Sequence, residues 1–401
     1  MDLTELLYRH YGALKENDFK GHDPYDGLNS RIFRNSPCSR SRALRLAWIQ
    51  LFKRSPVNFR PLVLVPAGLN PKGLALLIRG LVNLGALTGR EEFLQVAHSL
   101  ADRIIAQKAR DRSYFCVGYD FFWEARAFSV PAFTPNMVVS TCVGQAFLDL
   151  YGADGNAKWL DYARQIGEFI EKELVLSASE GEMALGYVPG ESGRIHNVNL
   201  MGAALFARLF SYTGEDRHKD HAVKAARYTV RWQREDGSWL YGENPHHRWV
   251  DNFHTGFNLV ALHAVDRHLP DELWRRSIES GLDYHIRHHF TEDMTPKYYT
   301  SRLYPIDIHN FAQGIETFVT FEQPDRALRL IKKCVDTMWD DDKHYFYYQK
   351  TRWYTNRIDY MRWSQAWMFF ALTRYQLDRH RRENAGPGDA GGGNGRSKED
   401  L

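Results

Sequence analysis

The sequence predicts an all-α fold: an (α/α)6 toroid of six helical hairpins, with short β-hairpin arms on one rim. Three observations lead there. An apolar helix followed by an amphipathic one recurs along the chain. Polar helix starts recur too. Taking Asn70, Asn136, Asn197, His254, Asn310 and Ser364 as markers gives spacings of 66, 61, 57, 56 and 54 residues. The segments that lead from one couplet to the next are long and rich in Tyr, Trp, Gly and Arg. An open superhelix of helix pairs would use the same parts. Closure is preferred because the series stops at six and its last inner helix is as buried-looking as its first.

Each element follows from its residues. "NPKGLALLIRGLVNLGALTG" is apolar nearly all round and ends in Thr-Gly, whereas "EEFLQVAHSLADRIIAQ" behind it has a charged face. A helix apolar on every side belongs inside, and one with a polar face belongs outside. The couplet repeats as "NMVVSTCVGQAFLDLYG" with "KWLDYARQIGEFIEKEL", and as "HNVNLMGAALFARLFSYTG" with "DRHKDHAVKAARYTVRW". It repeats again as "HTGFNLVALHAVDRHL" with "PDELWRRSIESGLDYHIRH", and as "HNFAQGIETFVTF" with "PDRALRLIKKCVDTMW". "RWSQAWMFFALTRYQL" closes the series. Gly or Pro punctuates nearly every inner-to-outer turn, as helix stops require. The predicted organisation is an N-terminal extension with outer helices over 1–65, the barrel over 66–383, and a disordered Gly-rich tail over 384–401.

Composition narrows the function classes. With 52 basic and 49 acidic residues the net charge is +3, so no field argues for nucleic acid or an anionic membrane. The charged start "MDLTELLYRHYGALKENDF" does not resemble a signal peptide, and no apolar run is long enough to insert in a bilayer. The expectation is a soluble, cytoplasmic protein. Cys38, Cys116, Cys142 and Cys334 are scattered without zinc-ligand spacing, and are expected to be reduced and structural. No metal and no cofactor is expected. "WDDDKH" at 339–344 reads as a solvated turn. Adjacent histidines in "IRHHF" point about 100° apart on a helix and chelate poorly. "NPHHRW" is a loop from which His246 or His247 can reach a cleft.

The candidate site is the rim where arms turn into inner helices. Asp251, Asp307 and Asp359 hold near-equivalent places in "VDNFH", "PIDIHN" and "RIDYMRW", and His196, His254 and His309 recur likewise. Asp and Asn at a helix start are ordinary N-caps. Histidine is not, and its threefold recurrence at one rim points to chemistry. Asp251, His254, Asp307 and His309 are therefore the catalytic candidates. Arg194, Arg248 and Arg302 are candidates for holding a carboxylate or phosphate, and His196, Asn197, Asn310, Asp359 and Gln365 for polar contacts. Trp239, Tyr241, Tyr299 and Trp363 offer flat apolar faces with polar edges. A saccharide partner suits such arms.

The six hairpins, the polar inner-helix starts and arms such as "DGSWLYGE" resemble the six-hairpin glycosidase-like superfamily. That group includes N-acylglucosamine and cellobiose 2-epimerases, unsaturated uronyl hydrolases and, more loosely, glucuronyl C5-epimerases. "NLMGAALFARLFSYTGEDRHKDHAVKAARYTV" is similar to the helix pair after a functional histidine in the 2-epimerases, and "MRWSQAW" resembles their ends. "HDPYDGLNSRIF" and "WIQLFKRSPVNFRP" resemble proteins encoded with bacterial surface-polysaccharide genes. The 2-epimerases place Glu four residues after a catalytic His, where this chain carries Asn258 and Gln313. The resemblance implies a carbohydrate-active enzyme in polysaccharide biosynthesis or processing. Proton transfer between His254 and His309, epimerase-like, suits imidazole pKa values near ~6.5. One alternative is a uronyl hydrolase-like glycosidase using Asp251 and Asp307 as its carboxyl pair. Another is a non-catalytic glycan-binding component of a surface-polysaccharide system.

Overall fold

Pro71–Thr88, Met137–Asp154, His196–Thr213, Asn252–His268, Ile308–Thr320 and Ala366–Asn384 form an inner ring in the computed structural model, which describes residues 2–124 and 129–384. Each touches the next, and Ala366–Asn384 returns to touch Pro71–Thr88. The ring is closed. Outside it lie Glu91–Ile105, Ala157–Phe169, Asp216–Arg231, Glu272–His289 and Pro324–Met338, each against its preceding inner helix. The sixth outer position is filled from the other end of the chain. Leu3–Glu16 packs on Ala366–Asn384, with Tyr11 stacked on Phe369 at 6.0 Å and Leu6 and Leu7 buried. From residue 385 on, the expected tail lies outside the described residues.

Local chemistry sets the ends of these helices. Asn70, Asn136, Asp251 and Asp307 cap inner helices by accepting backbone N–H bonds through their side chains. Gly89, Gly155 and Gly214 end the first three inner helices in left-handed conformation, with φ of 68°, 67° and 67°. Close packing inside the ring needs small residues as well. A Cβ on Gly256 would stand 2.7 Å from Gln313 Cγ on the neighbouring inner helix.

The arms lie at the start of the inner helices. Two-stranded ladders pair Trp123–Glu124 with Ser129–Val130, Val175–Ala178 with Met183–Leu185, and Trp339–Asp340 with Tyr345–Phe346. Ile306–Asp307, Gln349–Lys350 and Thr355–Asn356 form a three-stranded sheet. The arms over 232–251 and 290–307 are held by isolated bridges such as Asp251 with Tyr299, only Ile306–Asp307 among their described residues joining a ladder. Arg42–Arg54 and its flanks fold over the same face, tied down through charge. Buried Arg60 donates to Asp26 at 2.6 Å and to Tyr360 Oη at 3.0 Å, while Arg362 grips Asp23 bidentately at 2.6 and 2.9 Å. All four cysteines are free.

Candidate active site

A cavity of about 670 Å³ opens at the arm side of the ring. Among the sequence candidates, Asn197, Tyr241, Asp251, His254, Tyr299, His309 and Trp363 line it. Their helix starts converge there because every inner helix begins at this rim.

Asp251 uses its two oxygens differently. Oδ1 accepts the His254 backbone N–H at 3.0 Å, and Oδ2 lies 2.7 Å from His254 Nδ1 and 2.9 Å from Trp249 Nε1. A carboxylate accepts, so Nδ1 of His254 carries a proton. His309 also holds a proton on Nδ1, by another route. Its Nδ1 lies 3.3 Å from the Trp363 carbonyl, which can only accept. Burial pushes the His309 imidazole well below its ordinary range, and the nearby Lys72 and Arg362 charges reinforce this. The ring is therefore neutral, packed 4.5 Å from Trp363 and 4.9 Å from Phe253. Phe253 also touches His254 at 4.1 Å, so the two imidazoles flank one phenyl ring.

Asp307 sits behind this wall. It is fully buried, accepting from the His309 backbone at 2.8 Å, from Trp363 Nε1 at 2.9 Å and from Gln349 Nε2. Burial raises its carboxyl, and these donors oppose the rise. It does not line the cavity. Among the described residues, Asp251 is the one carboxylate that does.

Several candidates lie elsewhere. Trp239 is buried, donating to the Thr229 carbonyl at 3.1 Å, because the turn at Gly237 (φ 87°) tips it between two outer helices. Gln365 clamps an arm, accepting from Phe346 N at 3.0 Å and donating to Phe346 O at 2.7 Å. His196 is buried outside the cavity, with desolvation lowering its pKa to about 4. Arg194 lies 3.8 Å from Glu243 at the surface, Arg302 covers the Tyr299 ring from outside at 4.8 Å, and Arg248 and Asp359 are exposed. Asn310 is buried with neither amide atom hydrogen-bonded.

Other cavity residues went unnamed in the sequence. Lys72 and Arg362 come from the first turns of the first and last inner helical segments, and Tyr25 and Lys53 from the N-terminal extension. A lysine opening an otherwise apolar helix was the available signal for Lys72. Trp249, Tyr119, Tyr187 and Tyr298 supply further aromatic wall, while His246 and His247, already named from the sequence as able to reach a cleft, line the cavity from their loop. Tyr241 stacks on Trp249 at 4.6 Å and meets His254 at 4.4 Å. Asn258 and Gln313, four residues after His254 and His309, are buried with their carbonyl oxygens unpartnered among the described residues.

No protein-family model and no curated protein matches this sequence. Solved structures do match the fold. Cellobiose 2-epimerase from Bacillus thermoamylovorans B4167 aligns at TM-score 0.62 and 13% identity, over 79% of this chain and 90% of that one. The Lin0763 protein from Listeria innocua aligns at TM-score 0.61 and 12% identity, over 94% and 97%. An unsaturated glucuronyl hydrolase specific for heparin aligns at TM-score 0.53 and 12% identity, over 76% and 85%. The chain thus shares the (α/α)6 fold of these structures.

Proposed function

We propose that this protein is a carbohydrate-active enzyme that moves a proton at a sugar carbon, in the manner of an epimerase or isomerase. The observation that carries the reading is the pair of imidazoles, His254 and His309, each held at Nδ1 with no partner at Nε2 among the described residues, in a cavity that Asp251 alone of the described carboxylates lines. Removing a proton from a carbon beside a carbonyl, and returning one, needs a base and an acid near neutral pH. Asp251 prepares His254 for the first task by holding Nδ1–H and stabilising the imidazolium that forms. As His254 takes the proton from carbon, the electron pair of the broken C–H bond goes to the carbonyl oxygen. His309 must first take a proton from solvent at Nε2, against the burial that keeps it neutral at rest, and then gives that proton to carbon as the enolate collapses. Aromatic walls give sugar faces apolar contact while leaving hydroxyls to Asn197 and the histidines.

Glycoside hydrolysis calls for two carboxyl groups flanking the scissile bond. Asp251 and Asp307 were the candidate pair, but Asp307 lies behind Trp363 with its oxygens engaged. The epimerase and the glucuronyl hydrolase among the similar structures leave both chemistries open at the level of fold. The test is product analysis of hexoses, hexosamines and uronic-acid disaccharides by NMR. The expected result is an epimer or ketose, with turnover reduced roughly 10²–10⁴-fold in His254→Ala and in His309→Ala. New reducing ends without an isomer, or wild-type turnover in either variant, would reject the proposal.

A further inference from the structure

We infer that the saccharide taken by this cavity is anionic and that the ammonium of Lys72 binds its carboxylate or phosphate. The inference rests on the saccharide reading of the cavity but not on the proton-transfer step.

Lys72 is 4% exposed and lines the cavity from the first turn of Pro71–Thr88. Its Nζ lies 5.5 Å from the Phe257 ring centre and 5.4 Å from that of Trp367. Among the described residues it forms no ion pair and no hydrogen bond. Burying a charge without a partner is costly, and folded proteins normally match such charges. The other cationic groups here are engaged. Arg362 is neutralised by Asp23, and Lys53 donates to Tyr25 Oη at 2.8 Å. Asp251, the sole lining carboxylate among the described residues, is committed to His254 and Trp249. An aromatic pocket whose two lysine ammoniums, Lys72 and Lys53, meet no carboxylate among the described residues, with Lys72 lacking any hydrogen bond as well, is built for a ligand that brings its own negative charge. Desolvation also lowers the Lys72 pKa to about 8, a cost that a bound anion would reverse. The same two rings flank His309, Phe257 at 5.8 Å and Trp367 at 5.0 Å, which sets the anion close to the reacting centre.

The test compares dissociation constants by calorimetry for an unsaturated uronate disaccharide, a hexose phosphate and their uncharged parent sugars. The expected result is an advantage of about tenfold or more for one charged sugar over its parent, the scale of one charge-assisted hydrogen bond. Which charged sugar wins identifies carboxylate or phosphate as the group recognised. Lys72→Met should erase the advantage and Lys72→Arg should keep most of it, with circular dichroism confirming the fold of each. Equal affinity for charged and uncharged sugars in the wild-type protein would overturn the inference whatever the variants do. So would an advantage that survives Lys72→Met, or no binding by any charged sugar. Deuterium uptake into an uncharged sugar without charge preference would remove this inference and leave proton transfer standing. Charge-selective binding with no uptake in any sugar would do the reverse.

Discussion

Asp251 is both the cap that the helix start calls for and the group that sets the state of His254. Its two oxygens allow the functions to be separated. Asparagine caps as well as aspartate does, but it cannot stabilise an imidazolium. Asp251→Asn should therefore keep thermal stability within a few degrees while turnover falls by about 10²-fold or more. Asp251→Ala should lose the same activity and in addition about 1 kcal/mol of stability on denaturant titration. If Asp251→Asn retains full turnover, the carboxylate only caps. The recurrence of Asp and His at the rim was legible in the sequence, but the division between Asp251 and Asp307 was not. Both cap inner helices with equivalent residues. What separates them is the Trp363 indole and the Gln349 amide arriving from elsewhere in the fold.

At the scale of elements, the hairpin repeat could be read because burial on all sides leaves a run of apolar residues that no polar face interrupts. The turns were readable for a similar reason. Gly155 has φ of 67° and open space around its missing Cβ, so Gly155→Ala should cost about 1 kcal/mol through backbone strain alone. A shift in the denaturation midpoint with unchanged slope checks this, and no shift would mean the turn relaxes. The arms were harder to read. Trp239 and Trp249 both belong to one arm, yet the first packs between outer helices and the second lines the cavity. Aromatic content is the same in either place, and the direction of a backbone turn decides between them. Lys72 was hidden for a further reason. Its surroundings are Phe257 and Trp367, which only ring closure brings beside the first inner helix.

For the whole molecule, burial of neutral histidines makes a strong statement about acid. His10, His196, His218, His285, His289 and His309 are all buried, and desolvation lowers each of them. Their folded pKa values lie below the unfolded value near 6.5, reaching about 4 for His196 and about 3 for His285. As pH falls below 6.5 the unfolded chain gains protons that the fold refuses, so stability falls. Each such group contributes about 1.4 kcal/mol per pH unit. Asp120, Asp307 and Asp378 act in the opposite direction, since burial raises each of them, Asp120 to about 6, and their folded forms gain stability on protonation. Six groups outweigh three, and the unfolding temperature should drop between pH 6.5 and 4.5. A flat profile there would mean that these rings protonate in the folded state. The claim that matters most is that His254 and His309 exchange a proton at a sugar carbon across this closed ring. Turnover of the preferred sugar in D₂O tests it most directly, with the product read by NMR. The account predicts solvent deuterium at the carbon whose configuration or oxidation level changes, and none in His309→Ala. Product formed at full rate with that carbon still carrying only its original hydrogen would contradict it.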